Sequence, residues 1–139
     1  MDSQSLTEAG FGNWLLFASG VEDQAPETSG GYAFRQSRPV KLLRGQSDIV
    51  YIGRAMSNLP GPHHNLRHAL REYLHPGRSQ KTKIRIGRRA IQEAWEVSWK
   101  VSDSPDSLEC ELLRRFYHEH GQLPPDNRAW PPGCFPWKL

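Results

Sequence analysis

The stretch that most constrains the fold comprises residues 48–77 and reads DIVYIGRAMSNLPGPHHNLRHALREYLHPG. Residues 49–52 form a short apolar run rich in β-branched side chains, which predicts a buried strand. At about 100° per residue, the second half of the stretch separates into two helix faces. These are an apolar face (Leu66, Ala69, Leu70, Tyr73, Leu74) and a cationic face (His64, Arg67, His68, Arg71). Pro76 and Gly77 are expected to end this helix, so the stretch predicts a mixed α and β domain.

The residues before this stretch predict a helix, a loop and a first strand. A capping-box pattern, Ser5-x-x-Glu8, opens an apolar segment that continues to Phe17 and indicates a short N-terminal helix. Residues 21–30 contain several acids and Pro26 and are typical of a loop. Residues 31–35 predict a strand, which a polar and basic connection over residues 36–47 joins to the strand at 49–52.

Two helices, a strand and a tail are predicted after residue 77. A second basic helix is expected from about residue 83 to residue 94, and alternating apolar and polar side chains over 95–101 predict a strand with one buried face. Ser104 and Pro105 match an N-cap followed by proline, so a helix is expected from there to about His118. Residues 123–139 are rich in proline and predict an extended tail that lies over the domain.

Cationic residues are concentrated in one part of the chain. The overall balance is modest, with 18 Lys and Arg against 15 Asp and Glu and a net charge of +3. Residues 1–30 contain five acids and no Lys or Arg, whereas residues 54–90 contain nine Lys and Arg and one acid, Glu72. Such a concentrated positive segment is expected of a surface that contacts phosphates, and an ordinary solvated face is the alternative interpretation.

Neither a membrane span nor a cysteine-based site is expected. No apolar run approaches the roughly 18 residues of a membrane-spanning helix, and the first residues lack a signal-peptide pattern. Cys110 and Cys134 are too few for a disulfide framework and too far apart for a C-x-x-C pair. We therefore expect a soluble, cytoplasmic protein with no membrane partner, and we disfavour a zinc site.

The helix that starts near Pro105 carries an acid within its apolar stripe. That stripe comprises Leu108, Leu112, Leu113 and Phe116. At about 100° per residue, Glu109 falls within the stripe, whereas Glu111 falls outside it and Arg114 lies opposite. A buried carboxylate is unfavourable unless a cation or a metal ion receives it. Glu109 is therefore predicted to be either a site residue or half of a buried salt bridge.

Five sequence elements in order resemble the GIY-YIG nuclease family. They are Gly30-Gly31-Tyr32, Tyr51-Ile52-Gly53, a basic helix ending Tyr73-Leu74-His75-Pro76, Leu108-Glu109 opening a helix, and Pro124-Pro125-Asp126-Asn127-Arg128. The family includes the nuclease domain of the bacterial excision-repair incision subunit, phage homing endonucleases and several restriction enzymes. The resemblance implies a nuclease domain over residues 30–128, preceded by the helix and acidic loop of residues 1–29 and followed by a tail over 129–139. It also implies an α+β fold with a small central antiparallel sheet of three strands flanked by helices.

The activity that the resemblance implies is metal-dependent hydrolysis of DNA by an endonuclease. Tyr32 and Tyr51 would be the two motif tyrosines, with Tyr51 as the general base and Tyr32 as a supporting hydroxyl. A free tyrosine titrates at about 10, so a nearby cation must lower its pKa. Arg54, three residues after Tyr51, would promote the phenolate.

Other residues would complete the site. The resemblance gives a hydroxyl to Tyr73, the metal ligand to Glu109 and a closing amide to Asn127. Mg²⁺ or Mn²⁺ would be the cofactor, since Mg²⁺ accepts one protein carboxylate with waters completing its shell. The DNA backbone would be contacted by basic side chains of the two helices, namely Arg67, Arg78, Lys81, Lys83, Arg85, Arg88 and Arg89.

One position departs from the family pattern. An arginine usually precedes the helix tyrosine by one turn and grips the scissile phosphate, but the residue four before Tyr73 is Ala69. Three explanations stay open. The catalytic pair could be Arg71 and His75 in another register, the alanine could be an engineered replacement, or activity could have been lost naturally.

Three functions therefore stay open from the sequence. The first is a DNA endonuclease, and the second is a catalytically inactive nucleic-acid-binding protein of the same fold. The third is an interaction module whose N-terminal helix and aromatic tail dock onto a partner. No appended recognition domain is expected, so specificity would come from these residues, from a homodimer or from a protein partner.

Overall fold

The computed structural model describes residues 1–56 and 64–137, so the connection at 57–63 between the predicted strand and helix lies outside the described residues. In chain order the elements are α1 (Ser3–Glu8), β1 (Leu15–Leu16), a 3₁₀ helix (Val21–Gln24), β2 (Gly30–Lys41), β3 (Gln46–Ala55), α2 (Leu66–Leu74), α3 (Lys81–Gln92), β4 (Glu96–Val101) and α4 (Pro105–His120). The α+β class is confirmed. No helix in the described ranges is long and apolar enough to cross a membrane.

Within the described residues, one antiparallel sheet contains four strands in the order β1-β4-β2-β3. The expectation of three strands was therefore wrong. The additional strand is β1, in which Leu15 pairs with Val97 and Leu16 with Glu96. Two residues are too short to show the period-2 pattern of a strand, and the sequence pattern assigned this segment to the region of the N-terminal helix.

Helices cover both faces of the sheet. One core layer lies beneath α2 and α3 and contains Tyr32, Phe34, Leu70, Tyr73, Ile86 and Trp95. The second lies beneath α1 and α4 and contains Leu6, Ala33, Ile49, Ile52, Leu113 and Phe116. The prediction that β4 has one buried face was wrong for this reason. Val97 and Ser98, which point to opposite faces, are both fully buried, and Val101 at the strand end is exposed.

The helix predictions were closer to the observed bounds. In α2, Leu66, Ala69, Leu70 and Tyr73 are buried, which confirms its apolar face. α3 begins and ends two residues before the predicted positions, and α4 begins at the predicted proline. The N-terminal cap was misassigned, because Asp2 is the N-cap of α1 and accepts from the backbone N–H of Ser5 at 2.9 Å.

The C-terminal segment lies over the domain through turns. Leu123 and Trp130 pack against the core beneath α4, and Arg114 Nε donates to the carbonyl of Phe135 at 2.8 Å. Cys110 on α4 and Cys134 form a disulfide across 24 positions of the chain. The sequence did not predict this bond, because it depends on where the segment turns back onto α4.

Candidate active site

Three tyrosines, Tyr32, Tyr51 and Tyr73, meet on the α2 side of the sheet and are called the tyrosine cluster below. The hydroxyl oxygens of Tyr32 and Tyr73 are 2.7 Å apart, and their ring centroids are 5.7 Å apart. The ring centroid of Tyr51 lies 6.3 Å from that of Tyr73. The elements β2, β3 and α2 thus bring together the three tyrosines that the resemblance predicted.

A glycine in β3 lets Tyr32 reach this cluster. Gly53 is the register partner of Tyr32, whose ring lies across its backbone. A Cβ at position 53 would be 2.6 Å from Cζ of Tyr32 and 2.7 Å from its hydroxyl oxygen, which is closer than real Cβ atoms come. The last residue of the Tyr51-Ile52-Gly53 motif therefore has a steric role.

Burial keeps the phenols protonated. It raises the pKa of Tyr32 and of Tyr73 well above the usual value. The pKa of Tyr51 is also raised, mainly by burial, while the hydrogen bond with Tyr73 lowers it and the charge of Glu109 raises it. The cation that lowers this pKa is Arg85, so the prediction that Arg54 promotes the Tyr51 phenolate named the wrong arginine.

Glu109 is buried, as the helical projection predicted. Its residue is 7 % exposed, whereas Glu111 is exposed. Arg54 Nη1 lies 3.5 Å from Glu109 Oε1 and 3.0 Å from Asp106 Oδ1, one turn earlier on α4. Burial raises the pKa of Glu109 to about 7, although the charge of Arg54 opposes the rise. The salt bridge that the sequence left open is therefore formed, and the carboxyl still holds its proton more tightly than usual.

Glu109 approaches the tyrosine cluster from the α4 side of the sheet. Its negative charge raises the pKa of both Tyr32 and Tyr51. Leu108, which precedes Glu109 on α4, packs on Gly31, where a Cβ would lie 2.9 Å from its Cδ2. Gly31 thus favours close packing of α4 on β2.

The side-chain amide of Asn127 forms hydrogen bonds with the backbone of β3. Its Oδ1 accepts from the N–H of Ile52 at 2.9 Å, and its Nδ2 donates to the carbonyl of Ile52 at 2.9 Å. The N–H of Asp126 donates to the carbonyl of Val50 at 2.9 Å. Because β3 is an edge strand of the sheet, this segment covers groups that would otherwise be unpaired. Asn127 therefore fixes the strand that carries Tyr51.

The predicted DNA-binding residues separate into two groups. Among the described residues, Arg78, Lys81 and Arg88 are exposed and form no ion pair. The others have acidic partners: Arg67 with Glu27 at 2.8 Å, Lys83 with Glu72 at 2.6 Å, and Arg85 and Arg89 with Asp126 at 3.2 and 2.9 Å.

The guanidinium of Arg67 bonds to residues of the N-terminal loop. In addition to its ion pair with Glu27, its side chain donates to the carbonyls of Ala25 at 3.0 Å and Asp23 at 3.4 Å. These bonds tie α2 to the acidic N-terminal loop. The helical projection places Arg67 outside the apolar face of α2. It does not show that the side chain binds a loop that is distant in the sequence.

Ala69 lines a cavity of about 220 Å³ together with several polar side chains, including those of Arg54 and Lys83. The Nζ atom of Lys83 lies 5.2 Å from the ring centroid of Tyr73. Arg71 on α2 and His75 just after it are exposed, whereas Ala69 and Tyr73 are buried. The structure does not bring Arg71 and His75 to the tyrosine cluster, so the alternative register lacks structural support.

Glu109 and Asp106 are the candidate ligands for a divalent cation near Arg54. Within the described ranges, no group of three or more His, Cys, Asp and Glu side chains is placed to hold a metal ion. Glu109 and Asp106 nevertheless offer carboxylate oxygens, the ligands that Mg²⁺ and Mn²⁺ prefer. Both already face Arg54, so a cation there would compete with a guanidinium.

Sequence reasoning missed the role of Asp126. This residue is 2 % exposed, and its carboxylate accepts hydrogen bonds from two arginines of α3, Arg85 and Arg89. Their i, i+4 spacing places both on one side of the helix. That spacing was a signal for an acidic partner, although the sequence did not show which acid would fold against them.

No protein-family model, no curated protein and no solved structure matches the chain.

Proposed function

We propose that this protein is a metal-dependent endonuclease that hydrolyses phosphodiester bonds of DNA. The observation that carries the proposal is the buried carboxyl of Glu109, which faces Arg54 and acts electrostatically on Tyr32 and Tyr51. Perturbed carboxyl and phenol groups that influence one another are typical of catalytic sites.

Phosphodiester hydrolysis needs an activated water, stabilisation of charge on the phosphate and a proton for the leaving oxygen. A Mg²⁺ or Mn²⁺ ion held by Glu109, with Asp106 nearby, would polarise the phosphate. Tyr51 is the partly exposed member of the tyrosine cluster, so it is the proposed general base for the attacking water. Arg85 lowers the pKa of Tyr51 and offsets part of the rise that burial causes, and the hydroxyls of Tyr32 and Tyr73 are joined by their mutual hydrogen bond.

The surface around the cluster supports a polyanionic substrate. Arg78, Lys81 and Arg88 are exposed on and before α3, and unpaired surface cations of this kind bind phosphates by releasing counterions. We also propose a homodimer or a protein partner as the source of specificity.

Cleavage of supercoiled plasmid with Mg²⁺, with Mn²⁺ and with EDTA tests the proposal. We expect nicking that depends on the metal ion and that Glu109→Gln reduces by at least about a hundredfold, since the metal ligand and its charge are lost. Glu111→Gln is the matched control, because Glu111 is exposed on the same helix two residues away. Equal cleavage by wild type and Glu109→Gln would contradict the assignment.

The second candidate is a nucleic-acid-binding protein of the same fold without catalysis. Ala69 favours it, because the family places a phosphate-gripping arginine at this position and the structure shows an open cavity there. Salt-sensitive DNA binding without metal-dependent nicking would support this candidate. Nicking that appears only in Ala69→Arg would show that the alanine is what removes activity.

A further inference from the structure

Tyr51 lines a second cavity, which is called the Tyr51 cavity below. Its volume is about 300 Å³, and it is formed by the start of α3 and by the segment that covers β3. Its lining includes three cationic side chains and one carboxylate: Lys81, Arg85, Arg128 and Asp126. Thr82 and Tyr51 add hydroxyl groups, so the cavity offers several hydrogen-bond donors beside a net positive charge.

Asp126 positions Arg85 at this cavity. Arg85 Nη1 donates to Asp126 Oδ1 at 3.2 Å, and Nη2 donates to the carbonyl of the same residue at 3.2 Å. Arg89 Nη1 donates to the same carboxylate oxygen at 2.9 Å. A guanidinium has five N–H donors, so Arg85 keeps donors for a ligand after these bonds. Arg85 and Arg89 share the single carboxylate of Asp126, and the exposed Lys81 and Arg128 form no ion pair among the described residues.

We propose that the Tyr51 cavity binds a phosphate group of the nucleic-acid backbone and that Arg85 donates hydrogen bonds to it. The inference rests on the proposed function, because it names a residue that holds the substrate. Arg85 lies on α3, and Asp126 acts as its positioning residue. The planar guanidinium suits a phosphate because it can donate two parallel hydrogen bonds.

Binding of a fluorescent DNA duplex in EDTA, at several salt concentrations, tests the affinity. We expect Arg85→Ala to weaken binding by about tenfold or more and Arg85→Lys to recover part of the loss, since a lysine keeps the charge without the fork. Arg115→Ala is the control for loss of a surface arginine, because Arg115 lies on α4 and pairs only with Glu119 among the described residues. Arg89→Ala removes the other bond to Asp126 without removing a residue that lines the cavity.

The ring signals of ¹³C-labelled tyrosine give a readout at the cavity itself. The chain has four tyrosines, so the Tyr51 signal can be assigned with Tyr51→Phe. We expect the duplex, and inorganic phosphate at higher concentration, to shift the Tyr51 signal in wild type and in Arg89→Ala but not in Arg85→Ala. A change in folding would instead disturb the Tyr32 and Tyr73 signals without any ligand.

The outcomes separate this inference from the proposed function. If the duplex is bound and cleaved while Arg85→Ala behaves as wild type, the inference is wrong and the endonuclease proposal stands. If phosphate shifts the Tyr51 signal through Arg85 but DNA is neither bound nor cut, the cavity is a phosphate site and the DNA function is wrong. If neither ligand shifts the Tyr51 signal, the inference is overturned.

Discussion

The buried carboxyl of Glu109 predicts a pH dependence of folding stability. Its pKa is about 7 in the folded protein against 4.5 for an ordinary glutamate. Between these two values the folded state binds more protons than the unfolded state, so the free energy of unfolding falls as pH rises from about 4.5 to about 7. The difference of 7 − 4.5 = 2.5 units corresponds to a loss on the order of 3 kcal/mol, at about 1.4 kcal/mol per unit.

Glu109→Gln isolates this contribution, since glutamine resembles the protonated acid. We expect the variant to be about as stable as wild type at pH 4.5 and more stable by up to about 3 kcal/mol at pH 8. Urea denaturation in EDTA across this range gives both curves, and their difference cancels the titration of other groups. Glu111→Gln, on the exposed side of α4, should follow wild type throughout.

The reasoning would be refuted if the free energy of unfolding changed with pH in the same way in wild type and in Glu109→Gln. The carboxyl would then titrate in the folded protein as it does in the unfolded chain. A divalent cation adds a second check. A metal ion binds the deprotonated carboxylate, so Mg²⁺ should bind more tightly as pH rises and should release a proton below about pH 7. The rate of DNA cleavage should rise over the same range.

Three further substitutions test the contacts that build the site. Gly53→Ala should lower the free energy of unfolding by about 1–3 kcal/mol in urea titrations, because the new methyl meets the ring of Tyr32. Asn127→Ala should lower it by about 1–3 kcal/mol and speed amide exchange in β3, since two backbone groups lose their partner. Cys110→Ser should cost about 3 kcal/mol under oxidising conditions and nothing with a reductant present, because the disulfide closes a loop of 24 positions. Unchanged stability in any of these variants would contradict the corresponding contact.

Periodic patterns in the sequence predicted a strand, the faces of a helix and the direction of one side chain. The apolar run at 49–52 lies within β3, and the faces of α2 have the predicted burial. The inward direction of Glu109 followed from the same projection. A helical or strand projection uses only the residues of one element. The position of that strand, the faces of α2 and the direction of Glu109 were therefore predictable without knowledge of neighbouring elements.

Features that depend on distant partners were not predictable in this way. Arg67 follows the helical pattern, yet its partners lie in the N-terminal loop. The two-residue strand β1 exists only because β4 offers an edge to pair with. Asn127 matches the expected motif position, but its amide bonds the backbone of Ile52, which a motif cannot specify.

Two glycines allow the close contacts that bring the candidate site together. Gly31 admits the side chain of Leu108, so the helix turn that carries Glu109 lies close to β2. Gly53 admits the ring of Tyr32, so that phenol crosses β3 and meets Tyr73. The acid and the phenols thus reach one edge strand from opposite faces of the sheet. A Cβ at either position would displace a neighbouring side chain, Leu108 at one and Tyr32 at the other, so the glycines of both motifs favour the close packing of the site without any bond to a substrate.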